Sequence, residues 1–224
     1  MNLSNNNIIE FRNVSKRYVA YEDALKNVNF DLKLGEMAFL TGPSGAGKST
    51  LLKLIAAMEE STLGDIIVAG QNISHLSRSG VASLRRALGM VFQDAQLLEN
   101  YTVYENVALP LTLLGFREKD ISSRVQPALE LVGLGDKARR YATALSIGEQ
   151  QRVGIARAIA HKPPLLLADE PTGNLDPALA AEIMQLFIEL NKTGMSILIA
   201  THDLSLIASL HYRILSLKEG SFAS

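Results

Sequence analysis

An apolar run, a glycine-rich turn and the start of a helix follow one another without a gap in MAFLTGPSGAGKSTLLKLI, residues 37–55. Gly42, Gly47, Lys48 and Ser49 stand at the spacing G-x-x-x-x-G-K-[ST], the P-loop pattern, between the strand and the helix that the pattern requires. A strand fed into a helix through so tight a turn is the building unit of a mostly parallel sheet. The same residues carry chemistry. Gly45 and Gly47 can take backbone angles that other residues avoid, so successive N–H groups turn inward as an anion nest. The helix N-terminus adds positive dipole, Lys48 adds a point charge aimed at β- and γ-phosphates, and Ser49 offers a hydroxyl to Mg²⁺. A plain glycine-rich turn is the alternative. If each residue class runs near the 7% typical of glycine, the four fixed positions match by chance in roughly one chain in a hundred of this length.

The rest of the chain supports an α/β fold. IIEFRNV (8–14) alternates apolar and polar residues, and so do the positions around Val28, Phe30, Leu32 and Leu34, as half-buried antiparallel strands do. A β subdomain at the N-terminus is expected there. Four later runs barely alternate: 37–41, GMVF (89–92), LLLA (165–168) and ILIA (197–200). Strands of a parallel sheet covered on both faces read this way. Helical spacing appears at 51–58, 177–190 and 204–210. Between about 94 and 160 the strands stop and helical patterns take over, among them Ile121, Val125, Leu129 and Val132. The expected layout is one domain, with core and β subdomain in 1–93 and 161–224 and an inserted helical subdomain in 94–160. Pro127 falls inside that last pattern and should kink or divide its helix.

With 224 residues, no cysteine and four scattered histidines, the chain can bury a core without disulfides and lacks a Cys/His zinc site. Twenty-two basic against 23 acidic residues give a net charge of −1 and no global footprint for nucleic acid. The opening MNLSNNN reads as a polar tail rather than a signal peptide. The most apolar long stretch, VALPLTLLGF (107–116), holds Pro110, Thr112 and Gly115 and falls far short of the roughly 20 residues of a membrane helix. A chain that is soluble by itself is expected.

Two further strand ends carry reactive groups. LLLADEP brings Asp169 and Glu170 to the carboxyl edge of the sheet, where ligands of open α/β folds bind. Asp169 suits a Mg²⁺ held through water, and Glu170 suits the orientation or deprotonation of an attacking water, although DEP alone is more often a solvated turn. ATHD ends the next run. Thr201 or Asp203 could cap the following helix, while a parallel strand would deliver His202 to the same edge, and Gln93 ends the 89–92 strand there too. In ALSIGEQQRV (144–153), Ser146 and Glu149 fit a capping box, which by itself needs no ligand.

With this order of motifs, nearly the whole chain resembles the nucleotide-binding subunit of ATP-binding cassette (ABC) proteins. The resemblance implies a P-loop ATPase of ABC type that binds ATP and Mg²⁺. Tyr18 in SKRY looks like the residue that stacks on adenine. Gly42, Pro43, Ser44, Gly45, Ala46, Gly47, Lys48, Ser49 and Thr50 look like the Walker A loop, and Gln93 like the Q-loop residue that senses Mg²⁺ and the membrane partner. Leu145 to Glu149 resemble the signature motif, with Ser146, Gly148 and Glu149 as its nucleotide contacts. Asp169, Glu170 and His202 resemble the metal-holding carboxylate, the catalytic base and the switch histidine, and Asn174 to Asp176 the D-loop, with Asp176 beside the nucleotide. Such subunits act as head-to-tail homodimers, so the resemblance implies that Ser146 and Gly148 of one protomer close on the ATP held by the other.

Within that family, the Walker A region, GMVFQDAQLLENYTVYENVALPL and EQQRVGIARAI look most like the bacterial cell-division branch. That implies a peripheral subunit on the cytoplasmic face of the inner membrane, bound to an integral membrane partner that controls peptidoglycan hydrolysis outside. ATPases of lipoprotein release and macrolide efflux are the nearest rivals, and a nucleotide-gated module with vestigial hydrolysis is a further alternative. The signature departs from the family form at one position, where Ile147 replaces a glycine. A β-branched residue is an outlier at positive φ, so Ile147 should hold ordinary extended or helical angles. Leu97, Leu98, Tyr101 and Tyr104 either form a groove for a helix of the partner or pack inside the helical subdomain.

Overall fold

The computed structural model describes residues 6–18, 23–74, 76–208 and 210–222. The polar start at 1–5 and His75 lie outside them, as does Ser209 within the 204–210 helical pattern.

Two sheets share the molecule. The first is antiparallel and joins β1 (Asn7–Arg17), β2 (Asp23–Lys33), β4 (Leu63–Val68) and β5 (Gln71–Asn72) in the order β2-β1-β4-β5. The second contains β3 (Met37–Thr41), β6 (Leu88–Val91), β7 (Leu165–Asp169), β8 (Ser196–Ala200), β9 (Arg213–Lys218) and β10 (Ser221–Phe222), in the order β10-β9-β3-β8-β7-β6. All of its pairings are parallel except the β9–β10 hairpin. The four non-alternating runs of the sequence are β3, β6, β7 and β8. Their lack of alternation has the expected cause, because both faces are covered. Met37, Phe39, Leu166, Ala168, Ile197 and Ile199 face one hydrophobic core. Ala38, Leu40, Leu165, Leu167, Leu198 and Ala200 face the other.

The first core is roofed by helices α3 (Val103–Leu113), α4 (Glu118–Leu131), α5 (Ile147–Ile159) and α6 (Pro177–Lys192). The second lies between the parallel sheet and the antiparallel one and takes in α1 (Lys48–Ile55) and Leu84 of α2 (Arg78–Ala87). The short α7 (Leu204–Ile207) follows β8. From 94 to 160 no strand is assigned, only helices, two 3-10 turns and one isolated bridge between Thr102 and Tyr141.

The expectation for Pro127 is corrected in part: α4 runs through it as one helix of 14 residues. Proline removes one N–H from the ladder. Burial of Ile121, Val125, Ala128 and Leu129 against the first core outweighs that loss. Pro110 is carried within α3 in the same way.

Candidate active site

The loop after β3 has the geometry its glycines permit. Gly42, Gly45 and Gly47 have φ of 149°, 79° and 106°. At Gly42 a Cβ would lie 2.1 Å from the Leu217 carbonyl oxygen, and at Gly47 2.5 Å from that of Ala24. Both positions therefore exclude every side chain, on space as well as on φ. Gly47 is also the N-cap of α1, so the free N–H groups of the first turn open toward the loop. Lys48, 8% exposed, curls back to donate to the Gly42 carbonyl at 2.8 Å and that of Pro43 at 3.3 Å. A cavity of about 660 Å³ lies above, and Ser44, Lys48, Ser49, Gln93, Glu170 and His202 are among its lining residues. Pro43, Gly45, Ala46, Gly47 and Thr50 complete the P-loop side of that wall.

β7 supplies two consecutive carboxylates. Asp169 Oδ1 accepts from the Ser49 hydroxyl at 3.2 Å. Burial pushes the Asp169 carboxyl up from its ordinary range, the hydrogen bond from Ser49 opposes this, and the neighbouring Glu170 charge adds to it. Glu170 has a φ of 49°, a left-handed backbone rare for a non-glycine residue. Its N–H still donates to the Ala200 carbonyl of β8 at 2.9 Å. One of its oxygens lies 3.6 Å from Lys48 Nζ. The other accepts from the His202 backbone N–H at 3.2 Å and lies 2.8 Å from His202 Nδ1. Gln93, just past β6, donates to Asn174 Oδ1 at 3.4 Å. Asp203 caps α7 through the N–H groups of Ser205 and Leu206, one of the two caps expected there. Asp176 is occupied in the same way at α6, accepting from Ala178 and Leu179.

Ser146 is the N-cap of α5 and closes the expected capping box. Its hydroxyl accepts from Glu149 N–H at 3.3 Å, and its own N–H donates to the Glu149 carboxylate at 2.9 Å. Lys137 ion-pairs with that carboxylate. The Lys137 hydrogen bond, followed by that from Ser146, pulls Glu149 down to about 2. Gly148 is buried, and a Cβ there would meet Leu179 at 3.1 Å. Ile147 opens α5 without positive φ, as its branched side chain requires, and remains 65% exposed.

The structure thus brings Lys48, Ser49, Gln93, Asp169, Glu170 and His202 together at the carboxyl ends of β3, β6, β7 and β8. Tyr18, Ser146, Gly148, Glu149 and Asp176 do not line that cavity, and Asp169 meets it only through Ser49. Tyr18 is partly exposed, with Lys16 Nζ 4.8 Å from its ring centroid.

The ABC transporter family profile matches residues 25–173, two thirds of the chain, from β2 through the P-loop and α5 to the turn after Glu170. The chain belongs to the ABC transporter family. The cassette is 54% identical over 213 residues to the cell division ATP-binding protein FtsE of Escherichia coli K12, covering 95% of this chain and 96% of that protein. Identity to FtsE of Haemophilus influenzae is 52% over 214 residues, covering 95% and 98%. The fold superposes on cbiO1 of Clostridium perfringens, part of the ABC transporter complex cbiONQ, with a TM-score of 0.90 at 33% identity, covering 98% of this chain and 88% of that one. It also superposes on MJ0796, a dimeric bacterial ABC transporter cassette, at 0.87 and 37%, covering 96% and 97%.

Some contacts at the cassette's site left little trace in the sequence. Gln151, 3% exposed, donates to the Phe92 carbonyl at 2.9 Å, next to Gln93. Arg157 donates to the carbonyls of Ala95 and Gln96. A Cβ on Gly154 would meet Ala95 at 3.3 Å. These three positions of α5 recur every third residue, so they share a face.

Proposed function

We propose that the cassette is the ATP-hydrolysing subunit of a bacterial membrane complex acting in cell division, with FtsX or a permease of the same type as its integral membrane partner. The observation that carries the hydrolytic part is the convergence of Lys48, Ser49, Glu170 and His202 on one cavity at the sheet's carboxyl edge, with Asp169 bonded to Ser49 beside it. The division role rests on identity to FtsE along nearly the full length of both chains.

In this reading the loop from Gly42 to Thr50 wraps the phosphates, and Lys48 exchanges its carbonyl contacts for phosphate oxygens. Glu170 orients and deprotonates the attacking water, held by His202 on one side. Ser49, Asp169 and Gln93 offer hydroxyl, carboxylate and amide oxygens, the hard donors that suit Mg²⁺. Among the described residues no group of three or more His, Cys, Asp and Glu forms a metal cage, which fits an ion bound by few protein ligands together with phosphates. When bound, Mg²⁺ would offset the negative charge of the β- and γ-phosphates. Tyr18 stacks on the base. Ser146, Gly148, Glu149 and Asp176, away from the cavity of their own chain, serve the site of a second copy in a head-to-tail dimer. The division of labour is one domain with a helical insertion at 94–160 that carries this signature end.

No helix among the described residues is long and apolar enough to cross a membrane. The likeness to FtsE is what supports a place at the inner face through a membrane partner. Leu98 and Tyr101 are exposed, whereas Leu97 and Tyr104 pack on the first core. A hollow of about 560 Å³ nearby, with Met90, Phe92, Leu109, Leu113 and Arg157 in its walls, is a fitting seat for a short partner helix. The test of the hydrolytic reading is Glu170→Gln. Turnover should fall at least a hundredfold while Mg²⁺-dependent ATP binding persists and dimers accumulate. Unaltered turnover removes Glu170 from its role, and turnover that is indifferent to Mg²⁺ removes the metal.

A further inference from the structure

Near the end of β1 a lysine side chain is turned inward, although lysines ordinarily keep their charged head in water. The Lys16 side chain is 11% exposed. Its Nζ donates to Glu59 Oε2 at 2.9 Å and to the Glu60 carbonyl at 2.9 Å, both in the turn that follows α1. The same turn is clasped to β1 on either side of Lys16. Thr62 N–H donates to the Ser15 carbonyl at 2.8 Å, and Arg17 N–H donates to the Thr62 hydroxyl at 2.9 Å. Two of the three ammonium donors are thereby committed, and the group has a fixed place. At that place it lies over the Tyr18 ring, 4.8 Å from the centroid, within the range of a cation–π contact.

A ring has two faces. Lys16 takes one, which leaves the other for a stacked base and sets the plane of the ring before the base arrives. Ordering a free side chain at the moment of binding costs affinity, and a platform ordered in advance avoids that cost. We infer that Lys16 is a positioning residue for the nucleotide base: tethered by Glu59 and Glu60, it orients Tyr18 for stacking on adenine. The inference rests on the stacking role proposed above for Tyr18. It also links the two ends of the nucleotide. The turn that holds Lys16 follows the helix that begins with Lys48 and Ser49, and eight residues of α-helix span about 12 Å. α1 thus carries the phosphate site at its start and, through Lys16, the base platform beyond its end.

The experiment measures KM, kcat and the dissociation constant of ATP for the full chain in Mg²⁺, with the inhibition constant of inorganic tripolyphosphate as the base-free control. Lys16→Met keeps the stem and removes the charge, and Lys16→Gln keeps a donor for Glu60 without the charge. Both should weaken ATP about three- to tenfold, in KM and in the dissociation constant, while kcat and the tripolyphosphate constant stay within about twofold of the parent. Lys16→Arg should keep the parent's affinity for ATP. In a Tyr18→Leu background neither neutral variant should weaken ATP further. No loss for ATP, an equal loss for ATP and tripolyphosphate, or an undiminished loss in the Tyr18→Leu background refutes the role of Lys16 alone. If Tyr18→Leu itself binds ATP as tightly as the parent, the stacking reading falls and the role of Lys16 with it.

Discussion

Replacing Gln151 by leucine tests how the segment around Gln93 is held. Gln151 is buried on α5, and its amide donates to the Phe92 carbonyl at 2.9 Å. Leucine fills nearly the same volume without a donor. The cost is therefore that of an unmet, part-buried carbonyl rather than a cavity, about 1–3 kcal/mol. In a domain of this size each kcal/mol moves the melting midpoint by roughly 2–4 °C. A loss of about 2 kcal/mol thus predicts a drop of roughly 4–8 °C, read by calorimetry and checked by urea unfolding with an unchanged slope. Gln151→Glu should cost more at neutral pH, because an ionised carboxylate cannot donate and would face the carbonyl oxygen. The functional consequence is separable. Gln151→Leu leaves the P-loop contacts intact, so nucleotide should still bind, while the freed Phe92 misplaces Gln93 and lowers the maximal rate more than the apparent affinity. A midpoint within 1 °C of the parent, with equal turnover, would refute the reasoning.

Two further outcomes follow from charge. The Glu149 carboxyl sits far below its unfolded value, held by Lys137 and Ser146, so its stabilisation is complete above about pH 4.5 and is lost as pH falls toward about 2. Because the carboxylate is a quarter exposed and screened by water, about 1 kcal/mol is expected. Urea titrations from pH 6 to 2.5 should show that loss, and Glu149→Gln should flatten its share of the slope. The Asp169 carboxyl is raised, so the sign reverses: its protonated form favours the fold, and this stability fades as pH rises through its folded value. Asp169→Asn, which mimics the protonated form, should therefore stabilise the nucleotide-free chain by about 1 kcal/mol at pH 7 while reducing Mg²⁺-dependent hydrolysis. A lower melting point for that variant would contradict the burial argument.

The sequence was most readable where a local pattern has a single physical solution. The P-loop needs positive φ at its glycines, and two-sided burial erases alternation in β3, β7 and β8. The capping box at Ser146 and Glu149 is closed within four residues. Features that depend on distant partners were less legible. β9 pairs with β3 across more than 170 residues, and nothing in RILSLK announces that parallel register. β4 completes the antiparallel sheet although its first three residues are exposed. Leu97 and Leu98, identical in type and adjacent, divide between core and solvent. Composition offers no means of telling them apart.

Glu170 shows why a site departs from local rules. In an extended strand successive side chains point to opposite faces, so a β7 that ran straight on would send Asp169 and Glu170 apart. The two nevertheless reach adjacent residues of α1: Asp169 bonds to Ser49 and Glu170 approaches Lys48. The left-handed backbone at Glu170 makes the difference, turning the second carboxylate back to the edge where the first ends, at about 1–2 kcal/mol. Its N–H keeps the bond to Ala200, so the sheet is not what requires the strain. A glycine would meet the backbone demand at no such cost, and its absence means that the carboxylate is what the position is kept for. That carboxylate is shared between Lys48 and His202. In the proposed reading, phosphate oxygens that draw Lys48 away would leave Glu170 with His202 alone and one oxygen free to meet water, so binding at the loop would itself prepare the carboxylate for the role proposed for it.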